Sequence, residues 1–251
     1  MADVLLKENE RIDDLQIKNL KIIQDKSGFC FGIDAVLLAN FAKIKKDAKV
    51  VDLGTGTGII PILLAGKSKA KEIIGVEIQK QVADMAQRSV KLNNLEDKIK
   101  IINEDLKNLE GKLQTHGFHV VLSNPPYMHP DGLKNPNDKK AISRHEIMCN
   151  LEDVIKAASR LLMPHGKFFM IHRPTRLADI IVLSRKYRLE PKEIRFIHPK
   201  ANKAPNIMLV HFAKDSKPEL KILDPIYVYD EEGNYTDQIK EIYSKEDIGE
   251  N

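Results

Sequence analysis

Val50-Val51-Asp52-Leu53-Gly54-Thr55-Gly56-Thr57-Gly58-Ile59-Ile60 decides the architecture of this 251-residue chain. A β-branched run passes into alternating glycines and then into the apolar stretch Ile59–Ala65. Strand, glycine turn and helix in that order open a doubly wound α/β sheet, where glycines let backbone approach a ligand closely. The spacing is G-x-G-x-G rather than the dinucleotide pattern G-x-G-x-x-G, and no Gly-Lys-Ser/Thr follows to hold a phosphate. Asp52, read as part of the turn, would repel a pyrophosphate and suits a cationic ligand.

Three further apolar runs lie downstream. Glu72–Glu77 ends on Glu77, which is placed to accept from both hydroxyls of a ribose, and Lys100–Asp105 ends on Asp105, where an adenine amine can be met. Phe118–Ser123 reads as a buried strand and runs into Asn124-Pro125-Pro126-Tyr127. Two consecutive prolines cannot continue a ladder, so the strand stops there with its end facing outward. The amide of Asn124 and the carbonyl of Pro125 become stiff acceptors beside an aromatic ring, suited to a planar group bearing an NH2. Singly, Glu77 and Asp105 read as solvated strand-end charges and the tetrapeptide as a turn closed by a core tyrosine. Together, acidic groups after three strands and Asn-Pro-Pro-Tyr after the fourth form the layout of an S-adenosylmethionine-dependent methyltransferase.

The remaining pattern predicts a helix at 35–42, strand 49–53, helix 58–67, strand 72–77, helix 79–94, strands 98–103 and 118–123, helix 151–162, strand 167–172 and helix 175–187. Two β-rich runs, 190–198 and 206–213, are joined by Pro199–Pro205, short enough for an antiparallel hairpin. An edge strand at 220–229 and a short helix near 235–244 follow. This alternation predicts an α/β, doubly wound, seven-stranded and mostly parallel sheet of Rossmann-like kind with an antiparallel last strand. The expected division is an N-terminal cofactor-closing segment (1–48), a methyltransferase domain (49–215) and an acidic C-terminal extension (216–251). Residues 128–150 lack periodicity and read as a substrate loop.

Composition narrows the setting. No apolar run approaches the ~20 residues of a membrane span. The N-terminus lacks a signal peptide's apolar core, and Cys30 and Cys149 stand far apart, so a reduced cytoplasm is expected. No metal is expected, since His145-Glu146 lacks the second histidine of a zinc helix. Charge is uneven: residues 160–203 hold eleven Lys/Arg against three acidic residues, a net of +8, whereas residues 216–251 hold four against ten, a net of −6. A basic block ahead of an acidic tail suggests a polyanion-facing surface with a separate end. Aromatic content of 6% without tryptophan argues against extended stacking on single strands.

Gly28-Phe-Cys-Phe-Gly-Ile-Asp34-Ala-Val-Leu-Leu-Ala, Asp52–Gly58, Asn124–Tyr127 and Arg144-His145-Glu146, in that order, resemble the bacterial tRNA(Val) adenine-N6-methyltransferases. The resemblance covers roughly residues 8–213, and the phenylalanine-rich entry piece is its more specific part. It implies that Phe31, Gly32 and Asp34 close over the methionine end of S-adenosylmethionine. Asp52, Gly54 and Gly56 then line its amino-acid moiety, Glu77 holds the ribose and Asp105 the adenine. Thr55, Gly58, Ile78, Leu106 and Asn124 complete the cofactor-binding set, while Asn124, Pro125 and Tyr127 are the catalytic group that takes the target base. The implied substrate is the adenosine 3′ of the anticodon, with Lys139, Lys140, Arg144, Arg173, Arg176, Arg195 and Lys200 as candidates for RNA contact. Competing readings are a glutamine N5-methyltransferase of release factors, a guanine-N2 methyltransferase of ribosomal RNA, and a non-catalytic cofactor- or RNA-binding module.

Overall fold

The computed structural model describes residues 6–26, 32–125 and 150–244. The chain opens on an antiparallel hairpin, β1 (Glu10–Asp14) and β2 (Lys21–Asp25), followed by helix α1 (Ile33–Phe41). Then come β3 (Lys49–Leu53), α2 (Ile59–Lys67), β4 (Glu72–Glu77), α3 (Lys80–Leu92), β5 (Ile99–Asn103) and β6 (Phe118–Ser123). After residue 149 follow α4 (Leu151–Leu161), β7 (Leu162–His172), α5 (Leu177–Lys186), β8 (Leu189–His198), β9 (Ile207–Lys214), β10 (Lys221–Tyr227) and α6 (Asp237–Ser244).

Eight strands make one sheet in the order β10-β8-β9-β7-β6-β3-β4-β5, and only β9 runs against the rest. The predicted seven-stranded sheet and its reversed strand are therefore present, with β10 added parallel to β8 at the edge. The central strands are apolar on both faces because helices cover both. Phe168 faces α4 and α5 and stacks on Phe212 at 5.7 Å, while its neighbour Phe169 faces α1 and meets Phe41 edge-on at 5.7 Å. Helix α2 is buried nearly all round, as an element packed between sheet and neighbouring helices must be. Its Pro61 is tolerated because the missing N–H falls in the first turn, where no intrahelical partner exists. Helix α4 starts at a reciprocal capping box between Asn150 and Asp153.

Lysines close several helix ends. Lys98 Nζ donates to the carbonyls of Ala65 and Ser68 at the end of α2 (2.9 and 2.8 Å), and Lys214 Nζ donates to Leu162 O (2.9 Å) beyond α4. Burial holds both ammonium groups below the usual lysine range. Lys67, only 1% exposed, donates to Ile242 O (2.6 Å) and so ties α6 to the domain. With Ile239 and Ile242 buried in the common core, residues 221–244 pack as part of the sheet and its helical layer.

Two elements differ from expectation. The β1–β2 hairpin has no counterpart in the sequence pattern, because its first strand is polar and mostly exposed and its register is set from outside, by α3. Arg88 on α3 makes a forked pair with Glu10 (2.6 and 2.7 Å), Asn93 exchanges two hydrogen bonds with Lys21, and Ser89 Oγ accepts Ile23 N–H at 2.9 Å. Strand β7 also begins at Leu162 rather than 167, since its first residues accommodate Pro164 and Gly166 through a register shift opposite β6. Replacing Ser89 by alanine leaves the buried Ile23 amide without an acceptor. The expected loss is about 1–3 kcal/mol, read as a lower urea midpoint at unchanged m-value; an unshifted midpoint would show that the Ser89 hydroxyl does not help hold the hairpin.

Candidate active site

Strands β3, β4, β5, β6 and β7 all end on the same edge, and the chain leaves β3 toward β4 on one side while β6 lies on the other. The crevice between the carboxyl ends of β3 and β6 is the switch point where ligands bind in open α/β sheets. Ser123 Oγ donates to Leu53 O at 2.9 Å and locks the two strand ends together beneath it.

The glycine loop lies on one lip. Gly54 N and Thr55 N both donate to Val76 O (2.9 Å each), and Gly56 N donates to Glu77 Oε2 (3.0 Å). Gly54 and Gly56 have φ of 73° and 58°, and a Cβ at either would meet nothing within 4 Å, so the loop stands open on its outer side. Gly58 is the left-handed N-cap of α2. Glu77 is 5% exposed, and its Oε1 accepts Gln79 N–H at 2.9 Å. A carboxylate has about four acceptor positions, so Glu77 keeps capacity for two hydroxyls.

Asp52 lies in β3 rather than in the turn and is fully buried, with no hydrogen-bond partner for either carboxylate oxygen among the described residues. Burial pushes its carboxyl up to about 7; the nearby Thr55 hydroxyl opposes this and the Glu77 charge adds to it. Thr55 Oγ1 makes no well-formed hydrogen bond among the described residues, so its influence is one of proximity. An orphaned carboxylate under an open glycine cradle fits S-adenosylmethionine, which carries an ammonium and a sulfonium.

Two residues that build this site carry only a weak signal in the sequence. A Cβ on Gly75 would stand 2.9 Å from Thr55 Cγ2 and 2.8 Å from Ile101 Cδ1, so only glycine there lets Thr55 lie against β4. The signal was a glycine inside a β-branched run. Asn103 Nδ2 donates to the carbonyls of Glu77 and Ile78 (2.8 and 3.0 Å) and fixes the main chain that carries Glu77. Asp105 Oδ1 accepts Lys107 N–H at 2.9 Å and its Oδ2 lies 3.4 Å from Lys107 Nζ, so its orientation is set. Leu106 is buried beside it, and Ile78 is 36% exposed at the rim.

On the other lip, Asn124 is half-buried and Pro125 buried at the end of β6. The β6–β7 ladder ends with Ser123 opposite Met170, two residues before Pro125 on one strand and before His172 on the other. His172 is buried and accepts Arg173 N–H on Nδ1 at 2.8 Å; burial above all lowers its pKa to about 4, so it is neutral at physiological pH. Gly32 caps α1 with extended backbone, and Asp34 lies in that helix's first turn. Phe31, Tyr127, Lys139, Lys140, Arg144 and all but the end of the expected loop 128–150 lie outside the described residues. Of the other basic candidates, Arg173 and Arg176 follow β7, and Lys200 lies in the β8–β9 turn, all on the site's edge of the sheet. Arg195 is apart from them, on β8 facing a cleft of about 310 Å³ between α1, α6 and β10.

A doubly wound sheet with a glycine loop after its first central strand and a buried acid beneath that loop defines the class I methyltransferases. Residues 31–185 match the family "Methyltransferase small domain", and the chain belongs to that family. Along nearly its whole length it is similar to proteins named tRNA1(Val) (adenine(37)-N6)-methyltransferase. The Bacteroides fragilis protein is 26% identical over 232 residues, covering 92% of this chain and 97% of the relative. The Phocaeicola vulgatus protein is 29% identical over 230 residues, covering 90% and 95%. Among solved structures, a predicted O-methyltransferase from Agrobacterium tumefaciens superposes with a TM-score of 0.69 at 26% identity, covering 85% of this chain and 97% of that one.

Asp52 carries a pH signature. The native state keeps its proton up to about pH 7, whereas the unfolded chain releases it near the ordinary value of 3.8. The native state therefore binds more protons between those values, and stability falls as pH rises through the window. Because the lowered pKa values of His172 and His211 make stability rise with pH over the same range, the Asp52 contribution is read as a difference: the stability of Asp52→Asn relative to wild type should increase from about pH 4 to about pH 7 in urea titrations. A difference that does not change with pH would place the titrating group elsewhere.

Proposed function

We propose that this methyltransferase transfers the methyl group of S-adenosylmethionine to the exocyclic N6 of an adenine in tRNA, at the adenosine 3′ of the anticodon. The observation that carries the reading is the pairing, across one switch point, of a glycine loop over a buried orphan carboxylate with Asn124-Pro125 at the end of β6. The chain-long similarity to relatives named for this reaction supports the choice of base and RNA.

When bound, S-adenosylmethionine supplies an activated methyl on a sulfonium. The chain's own task is to hold a weak nitrogen nucleophile in line behind it. Asp52 balances the cofactor's positive charge, Glu77 accepts from the ribose hydroxyls, and Asp105 and Leu106 meet the adenine ring. The side-chain oxygen of Asn124 and the carbonyl of Pro125 accept the two N–H bonds of the target amine. Two acceptors turn that nitrogen toward tetrahedral geometry and stabilise the positive charge that grows on it. The alkylated nitrogen is acidic and loses its proton without a strong base, which agrees with a neutral, buried His172 on the neighbouring strand. Tyr127 stacks on the base, a contact worth ~1–3 kcal/mol. Turning a base out of a single-stranded loop costs only a few kcal/mol.

Incubation with tritiated S-adenosylmethionine and unmodified tRNA, followed by digestion to nucleosides, tests the reading: label is expected in N6-methyladenosine. Label in a release factor offered in parallel, with none in RNA, would overturn it in favour of glutamine methylation. Asn124→Ala should lower turnover about a hundredfold while cofactor affinity barely changes; the reverse pattern would remove Asn124 from the chemistry. Cofactor binding near pH 6 should release a proton from Asp52, so affinity tightens as pH rises toward about 7 and then levels. Calorimetry in buffers of different ionisation enthalpy reads that proton directly, and no buffer dependence would contradict the assignment.

A further inference from the structure

We propose that the C-terminal segment carries a second RNA-contact surface, in which the exposed stack of Tyr229 and Tyr235 takes an unpaired base and the β8–β9 turn with Lys200 and Lys203 takes the adjoining phosphates. The inference rests on the tRNA reading above and adds to it a site outside the methyl-transfer crevice.

Topology puts this surface on the substrate side. Strand β8 runs with β7 because β9 reverses between them, and β10 runs parallel to β8, so both end on the edge that holds Asn124 and His172. The parallel ladder continues past the strands, as Val228 N donates to His198 O and Tyr229 N to Pro199 O (2.9 Å each). The chain then folds back on itself: Asp230 N donates to Asn234 O (2.9 Å) and Thr236 N to Val228 O (3.1 Å), which brings Tyr235 opposite Tyr229. Their rings stack at 5.4 Å and 14°, and Tyr243 of α6 backs Tyr235 at 6.1 Å and 21°. Tyr229 and Tyr235 each remain 39% exposed. A rigid aromatic pair left in water at the rim is the platform on which bases stack irrespective of sequence. It lies four strand positions from β6, about 19 Å at ~4.8 Å per strand, so it would meet RNA flanking the target nucleotide.

Charge sets the orientation. Lys200 Nζ donates to Glu231 O (3.0 Å), which holds the basic turn against the tyrosine turn, and Lys203 is exposed next to it. The carboxylate of Asp230 is absorbed locally, since Oδ1 accepts Asn234 N–H at 2.9 Å and backbone N–H groups hold its pKa down. Glu231 and Glu232 are exposed and repel phosphates. The backbone of a bound RNA is thereby directed over Lys200 and Lys203, with a base turned toward the rings.

The test uses the full-length protein and an unmodified tRNA(Val) transcript, with affinity measured by fluorescence anisotropy across a salt series. Tyr229→Ala should weaken binding about tenfold, as loss of one stacked base does, and Tyr229→Trp should retain it. Lys200→Ala with Lys203→Ala should lower the slope of log affinity against log salt by about two, one for each phosphate lost. Thermal melting and affinity for S-adenosylhomocysteine serve as folding controls, and a Tyr229→Ala protein that fails them is replaced by Tyr229→Leu. If the wild type binds and methylates tRNA while a folded Tyr229 variant binds it equally well, this surface is not an RNA site and is left for a protein partner. If the wild type neither binds nor methylates tRNA, the functional reading falls first and takes this inference with it.

Discussion

The divergence of the chain at the carboxyl ends of β3 and β6 is the constraint on which the rest of the molecule depends. Neighbouring parallel strands whose crossovers leave in opposite directions leave the ends of both uncovered, so backbone groups there are available to a ligand. Ser123 holds that junction shut from below through Leu53 O. The glycine loop and Asn124-Pro125 are opposed because they are the first residues after two strands in fixed register. Further supports, Gly75 making room for Thr55 and Asn103 holding the chain at Glu77, serve the same end.

Asp52 shows how such a site stores free energy. A fully buried carboxylate with no hydrogen-bond partner among the described residues is costly, and the fold lessens the cost by letting it hold a proton near neutrality. A cationic ligand arriving above the loop would supply a partner, so part of its binding free energy would come from relieving a burial cost that the fold carries. Glu77 contrasts with it: nearly as buried, it is satisfied by Gly56 and Gln79 N–H groups, and so is ready to accept hydroxyls without rearrangement.

The C-terminal segment, in sequence an acidic tail, is structurally continuous with the sheet. Its attachment is specific: β10 extends the ladder at β8, buried Lys67 caps the end of α6, and Ile239 and Ile242 join the core. Four of the chain's six tyrosines fall within residues 227–243, so a composition poor in aromatics overall conceals a local concentration at the rim.

The order of elements and the kind of site were legible in the sequence because each rests on local patterns. The β-branched run before Gly54 gives a buried strand, the alternation of strands and helices gives a parallel sheet, and Pro125-Pro126 forces β6 to end where it does. What escaped depends on contacts between residues distant in the chain. The β1–β2 hairpin takes its register from Arg88 and Ser89 on α3 and from Asn93 at its C-terminal cap, and no short-range pattern in Glu10–Asp14 records that. Asp52 looks like a turn residue in sequence; its burial, and hence its raised pKa, comes from the sheet and helices that close around it. The tyrosine stack itself is made by a local turn, but its place beside the basic turn at Lys200 exists because β10 lies beside β8, which brings residues near 200 and 230 to one rim. Sequence by itself determined the strands of the main sheet, their carboxyl ends and the chemical groups placed there, since these follow from local sterics and hydrophobic period. Tertiary structure alone decided which of those groups are desolvated and which face one another, since burial and register are properties of the packed sheet.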